Sequence, residues 1–202
     1  VRFVPVCPEV EAGLGTPREP IRLVQSADEL RLVGVQSNSD QTSRLRRFTR
    51  AKLSELRKLE LCGYVLKKNS PSCGMERVKV YGTQGGAQRR GTGLFAAALR
   101  RALPLLPVEE EGRLNDPRLR ENFFERVFAY RRLRTLFASR WRRGDLVRFH
   151  TAEKMLLLAH DRPAYQALGR IVASMKGRES KALALEYAGT DRKSTRLNSS
   201  HS

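Results

Sequence analysis

Along the first part of the chain, short apolar runs bounded by Pro, Gly or polar residues alternate with longer stretches of helical periodicity. On that pattern Arg2 to Val6, Ile21 to Val24 and Arg31 to Val35 read as strands. Beyond Asp40, which can cap a helix, Leu45, Phe48, Ala51, Leu53, Leu56 and Leu59 fall on or near one helical face. Tyr64 to Lys67 predicts a buried strand ending at the loop Ser70 to Gly74, and Val78 to Tyr81 a short extended piece. Gly82, Gly85, Gly86, Gly91 and Gly93 precede a helix over Leu94 to Leu103. That run lacks the register of a dinucleotide-binding turn and the Lys-Ser/Thr of a phosphate loop, so a mobile lid or turn is expected.

Leu105 to Val108 predicts the next strand, with Glu109-Glu110-Glu111 directly at its carboxyl end, where open α/β sheets place ligands. The same run also reads as a solvated acidic turn balancing Arg113 and Arg118. Asp116-Pro117 has the form of a helix start, and Phe123, Phe124, Val127, Phe128, Leu133, Leu136 and Phe137 give that helix an apolar face up to a stop at Gly144. The expected fold is α/β: an open, mostly parallel, Rossmann-like sheet with flanking helices, followed by an all-α segment. His150 and His160 are too far apart to be ligands on adjacent turns. His150 is therefore expected to pair with Glu153 or to cap a neighbouring helix rather than bind metal.

Composition narrows the class. At 202 residues and 40% hydrophobic there is material for one core and a smaller appended unit. Three cysteines, an odd number, with no charged-then-apolar leader argue for a reducing compartment, so a cytoplasmic location is expected. The longest apolar run, Met155 to Ala159, is far short of the roughly 18 residues of a membrane helix. Lys+Arg 39 against Asp+Glu 21 gives a formal charge of +18. Much of it lies between Arg118 and Arg148, which reads either as a solvated helical face or as a phosphate track for RNA, in which thiolated bases occur naturally.

The chemistry concentrates in Cys7-Pro8-Glu9 and Ser70-Pro71-Ser72-Cys73-Gly74. A residue before proline is pushed out of the α region, so Cys7 and Ser70 are held by local sterics. Thiolates bind soft metals and iron-sulfur clusters, and the carboxylate of Glu9 and the hydroxyls of Ser70 and Ser72 suit proton or hydrogen-bond work beside them. Two buried structural cysteines in turns are the plainer alternative.

Four longer strings, taken in order, carry more information: Val4 to Leu23 around Cys-Pro-Glu, Gly63 to Tyr81 around Ser-Pro-Ser-Cys-Gly, Gly93-Leu94-Phe95-Ala96, and Leu106 to Leu114 around Val-Glu-Glu-Glu-Gly-Arg. Together they resemble the bacterial family that includes the thiouracil desulfidases, over residues 1 to about 130. The resemblance implies a 4Fe-4S cluster held by three cysteines, with a fourth iron open to the thiocarbonyl sulfur of the substrate. Cys7 and Cys73 match two of those cysteines, Glu9 the acidic residue that handles protons and water, and Ser70 a serine beside the substrate. The third ligand belongs to a Cys-Leu-Leu-Gly-like segment upstream of this chain's first residue, so the chain reads as truncated at its front. Cys62 sits in the apolar stretch Leu59 to Leu66 and reads as a small core residue rather than a replacement ligand.

Leu146 to His160 and Tyr165 to Ala173 resemble the opening of the YbgA-like helical domain often fused behind this family. Asp191 to Ser202 resembles a translated sequencing adapter, and an artefactual, disordered tail is expected there. The domain reading is thus 1–143 for an α/β desulfidase-like unit, 144–190 for a truncated helical unit and 191–202 for the tail. The function this implies is iron-sulfur-dependent, non-redox removal of sulfur from a thiolated nucleobase or nucleoside, releasing sulfide. The alternatives are a basic nucleic-acid-binding or scaffold protein with structural cysteines, or an inactive fragment.

Overall fold

The protein is described here as a computed structural model covering residues 2–26, 29–82, 86–160 and 162–197, without the side chains of 156, 157, 159, 160, 164, 181 and 191–197. It divides into two units, Val1–Asn115 and Asp116–Ser202.

In the first unit the elements run in the order β1 (Ile21–Ser26), β2 (Glu29–Gly34), α1 (Thr42–Lys58), β3 (Tyr64–Leu66), β4 (Val78–Tyr81), β5 (Ala87–Gly91), α2 (Leu94–Ala102) and β6 (Val108–Glu110), with a π-helix at Val10–Leu14 ahead of them. One sheet has the order β2-β1-β4-β5, and β3 and β6 make a separate parallel pair. The larger sheet is mixed rather than mostly parallel: β1 pairs antiparallel with β2, parallel with β4, and β4 antiparallel with β5. Connection length explains this. A parallel pair needs a crossover of about a dozen residues or more, which the segment holding α1 provides between β1 and β4 but the short links from β1 to β2 and from β4 to β5 do not.

Three further expectations are corrected. Arg2 to Val6 is not a strand: among the described residues no strand pairs with it, Pro5 has no amide proton, and Phe3 is 86% exposed. The glycine-rich run is not all lid, because Ala87–Gly91 pairs with β4. Gly91 is required there, since a Cβ on it would lie 2.5 Å from Val80 Cγ2. The last strand begins at Val108 rather than Leu105, taking Glu109 and Glu110 into the sheet.

The core of this unit follows from helix period meeting strand period. On α1, Thr42, Leu45, Thr49, Leu53 and Leu56 are buried at three- and four-residue spacings, one stripe of a helix. Leu45 packs with Leu23, Leu32, Val78 and Val80, alternate residues from one face of the larger sheet, and Phe48 and Leu94 close the edge. The cap position of α1 is Gln41 rather than Asp40, which stands one residue earlier with its Oδ1 accepting from Thr42 N at 2.8 Å. Thr42 Oγ1 in turn accepts from Leu32 N at 2.8 Å, tying α1 to β2. Truncating a buried leucine of this cluster to alanine costs about 2–5 kcal/mol.

The second unit is helical: α3 (Pro117–Ala138), α4 (Arg143–His160), α5 (Arg162–Ala173) and α6 (Ser180–Leu197). Asp116 caps α3 as its sequence predicts, Oδ1 accepting from Arg118 N at 2.8 Å. The helix stops at Ala138, before Gly144. Arg132 grips the carboxylate of Glu153 with two bonds, at 2.6 and 2.8 Å, joining α3 to α4. His150 therefore takes other partners than Glu153: its Nδ1 lies 3.0 Å from Tyr187 Oη, and its ring stacks on Tyr165 at 5.2 Å. The side chain of His160 lies outside the described residues. The backbone of α6 is helical through Leu197, over the first part of the tail that the sequence sets aside. Among the described residues no helix is long and apolar enough to cross a membrane.

Candidate functional site

Proline-directed backbone places the first thiol. Pro8 and Glu9 begin a helical turn that runs into the π-helix, and Glu11 N closes it on Cys7 O at 2.9 Å. The Glu11 side chain reaches back, Oε1 accepting from Cys7 N at 2.9 Å, so the turn is capped from both directions. Glu11 Oε2 meets Lys52 Nζ of α1 at 2.8 Å, which anchors the turn to the core.

The second thiol sits in the loop after β3. Ser70 Oγ accepts from Ser72 N at 3.2 Å and Cys73 N at 3.1 Å, and Gly74 N donates to Ser70 O at 2.8 Å. The loop wraps the start of α2, where amides are otherwise unpaired. Leu94 N donates to Pro71 O at 3.1 Å, Phe95 N to Ser72 O at 2.9 Å and Gly93 N to Gly74 O at 2.7 Å. This contact requires Gly93, because a Cβ there would stand 2.4 Å from the carbonyl carbon and oxygen of Ser72.

The acidic run of β6 braces the same loop from below. Glu110, 4% exposed, accepts from Met75 N at 2.7 Å, and Glu111 Oε2 accepts from Lys68 N at 2.6 Å. One carboxylate holds the exit of the loop and the next holds its entry. Glu109, also buried, accepts from Arg113 Nε at 2.9 Å. Glu109 and Glu110 are therefore no solvated turn. Glu111 is part buried, which raises its pKa, but Lys67 and the Lys68 amide outweigh that and hold it below the usual carboxylate range.

The two loops meet at Glu9. Its Oε1 accepts from Ser70 Oγ at 3.0 Å and from Ser72 Oγ at 2.6 Å; its Oε2 accepts from Arg18 Nε at 3.1 Å and from a terminal Arg18 nitrogen at 2.5 Å. All four acceptor directions of the carboxylate are thereby used. Ser72 is fully buried, and its Oγ also lies 3.6 Å from Cys73 Sγ. Cys73 feels the charges of Glu9 and Cys7, so both thiols share one electrostatic neighbourhood. Burial pushes the Cys73 thiol up to about 11; the Ser72 hydroxyl opposes this, the charges of Glu9 and Cys7 add to it, and Ser70 opposes it weakly. Beside them Tyr64 is raised as well, by burial first and then by the charges of Cys73, Glu11 and Cys7.

Cys62 stands apart from this arrangement. Its thiol donates to Glu60 O at 3.4 Å, and it is not among the charges acting on Cys73. Among the described residues no three His, Cys, Asp or Glu side chains converge as a metal site. Arg18 is the member that sequence reasoning passes over, since an arginine in a turn carries no signal that its fork will close on a carboxylate nine residues earlier.

The unit that holds the carboxylate of Glu9 between Arg18 and two serines matches a known family. Residues 1–111 match the model of the 2-thiouracil desulfurase family. The chain belongs to that family. The match to the 2-thiouracil desulfurase family covers the unit that carries Cys7, Glu9, Ser70 and Cys73 and stops short of α3. Among curated proteins the chain is 33% identical over 120 residues to the uncharacterized protein YbbK of Bacillus subtilis (strain 168), covering 57% of this chain and 78% of that one. Among solved structures it is similar to the [4Fe-4S]-dependent thiouracil desulfidase TudS, at 32% identity and a TM-score of 0.43, over 54% of this chain and 67% of that one.

Proposed function

We propose that this protein removes sulfur from a thiolated nucleobase or nucleoside without net redox change, water replacing the C=S sulfur by oxygen and sulfide leaving. The observation that carries the reading is the convergence of Glu9, Ser70, Ser72 and Cys73 from two distant loops, in a unit matched by the 2-thiouracil desulfurase family.

The donors suit an iron-sulfur cluster in kind. Cys73 is half-buried beside Ser72 and the Glu9 carboxylate, and a thiol so placed ionises when a cation arrives to offset that charge. Cys7 and Cys73 would hold the 4Fe-4S cluster in part, as two of its thiolate ligands. Bound there, the cluster supplies a soft Lewis-acidic iron for the substrate's sulfur.

The remaining work falls to this chain's side chains. Glu9 takes a proton from the attacking water and returns one to the departing sulfur. Because every acceptor direction of its carboxylate is filled, a serine hydroxyl must turn away as water enters. Ser70 and Ser72, 2.9 Å apart, can donate to each other instead. Ser70 then orients the substrate beside Glu9, and Arg18 keeps the carboxylate plane fixed while its other oxygen works.

The test is anaerobic reconstitution with iron and sulfide, in a protein that also carries a third cluster cysteine, followed by incubation with 2-thiouracil. Uracil and sulfide in equal amounts are expected, and neither from Cys73→Ala. Brown cluster absorbance without sulfide release from any thiolated base or nucleoside would leave the cluster and overturn the reaction.

A further inference from the structure

The fully buried side chains of the four-stranded sheet lie on one face. Leu23, Leu32, Val78 and Val80 are buried with Leu45 of α1, and strand side chains alternate, so Arg22, Val24, Arg31, Val33, Lys79 and Tyr81 belong to the opposite face. The register aligns the cations among them. Lys79 is the direct partner of Arg89, and Arg22 and Lys79 each precede the paired residues Leu23 and Val80. Arg22, Lys79 and Arg89 thus form one row across three strands. The register shift at Val78/Lys79 leaves Arg90 as an extra, exposed residue beside it.

This row lacks the compensation seen elsewhere in the molecule. Lys79, Arg89 and the neighbouring Arg90 are exposed and make no ion pair with a carboxylate among the described residues, while Arg22 is half-buried with its Nε enclosed and without a hydrogen bond. Like charges directly opposite each other on a sheet destabilise it. By contrast, on the β2 side Arg31 and Arg46 are matched by Glu29, and Arg31 also by Asp40. Next to the row lies an aromatic ring: Tyr81, half-buried, with the Arg22 guanidinium 5.3 Å from its centroid.

We propose that the exposed basic edge of this sheet face, Lys79, Arg89 and Arg90 beside Tyr81, binds single-stranded RNA. Unmatched cations in a row suit a phosphate backbone, and a ring held on the same face offers a stacking surface for an unpaired base. The flat face does not suit a duplex, whose deep major groove side chains do not enter. The chain's formal charge of +18 steers such a polyanion toward it. The inference rests on the sheet register and not on the desulfidation reading.

The experiment is fluorescence anisotropy of the full chain with a labelled oligouridylate of about 12 nucleotides, inside the roughly 4–16 that a single-stranded site spans. Binding is expected to weaken with salt at a log–log slope near −2, about −0.7 for each of three phosphates. Lys79→Glu with Arg89→Glu should weaken it at least about tenfold and flatten the slope, and Tyr81→Leu should weaken it about fivefold or more. If the charge-reversed protein misfolds by circular dichroism, Lys79→Gln with Arg89→Gln replaces it, with a smaller loss in the same direction. Equal affinity for duplex RNA would overturn the proposal. So would binding that survives the sheet variants but disappears in Arg140→Glu with Arg143→Glu, which would move the site to the helical arginines, or no binding at low salt.

Discussion

Gly93 and Ser72 approach so closely that a Cβ on the glycine would lie 2.4 Å from the serine's carbonyl carbon and oxygen. The obstacle is backbone, so a rotamer change cannot relieve it. Gly93→Ala should therefore push the cysteine loop off the start of α2 and break the bonds from Phe95 N and Leu94 N. The expected loss is about 1–3 kcal/mol in a urea titration, with faster alkylation of Cys73 in cluster-free protein as its burial is relaxed.

Glu110 holds the other side of that loop. Replacing it by Gln keeps an oxygen for Met75 N, whereas Ala leaves a part-buried amide unpaired. Glu110→Ala should lose about 1–3 kcal/mol and Glu110→Gln much less. Hydrogen exchange at the Met75 amide reads this directly: it should quicken in the Ala variant and stay slow in the Gln variant.

How far the sequence reveals this site depends on the range of the interactions. Cys7, Glu9, Ser70 and Cys73 stand in short strings whose sterics and chemistry are local, and the elements around them follow from apolar periodicity. The partnerships are not local. That Glu9 would be clasped by Arg18, or that Glu109 and Glu110 would be buried, depends on chain crossings that no short string encodes. An acidic triplet after an apolar run has the same pattern whether it is solvated or buried. Strand direction is hidden for a similar reason, since alternation marks a strand but link length decides whether its neighbour runs parallel. Gly93 was visible only as one of several glycines, although the close approach of Ser72 gives it a specific task.

The raised pKa of Cys73 makes a pH prediction with a definite sign. Its proton stays on in the folded protein up to about pH 11, while the unfolded chain releases it near the ordinary value of 9.0. The unfolded state then binds fewer protons between those limits, so cluster-free protein should lose stability as pH rises from about 9 toward 11. Urea midpoints across that range should fall more steeply in the parent than in Cys73→Ser. Equal slopes would mean that the thiol is not held protonated by burial.

Glu9 offers the sharpest separation of structure from chemistry. Glu9→Gln keeps the size of the side chain and one oxygen for the Ser70 and Ser72 hydroxyls, but it weakens the pairing with Arg18 and cannot take up a proton. The reconstituted variant should keep its brown cluster absorbance and lose about 10²- to 10⁴-fold in turnover of 2-thiouracil. Arg18→Gln, by contrast, should leave the proton-transfer group in place while loosening its plane, and so lose less. If Glu9→Gln released sulfide at the parent rate, proton transfer would have to be assigned elsewhere. Ser72 would be the first candidate, as its buried hydroxyl already touches both Glu9 and Cys73.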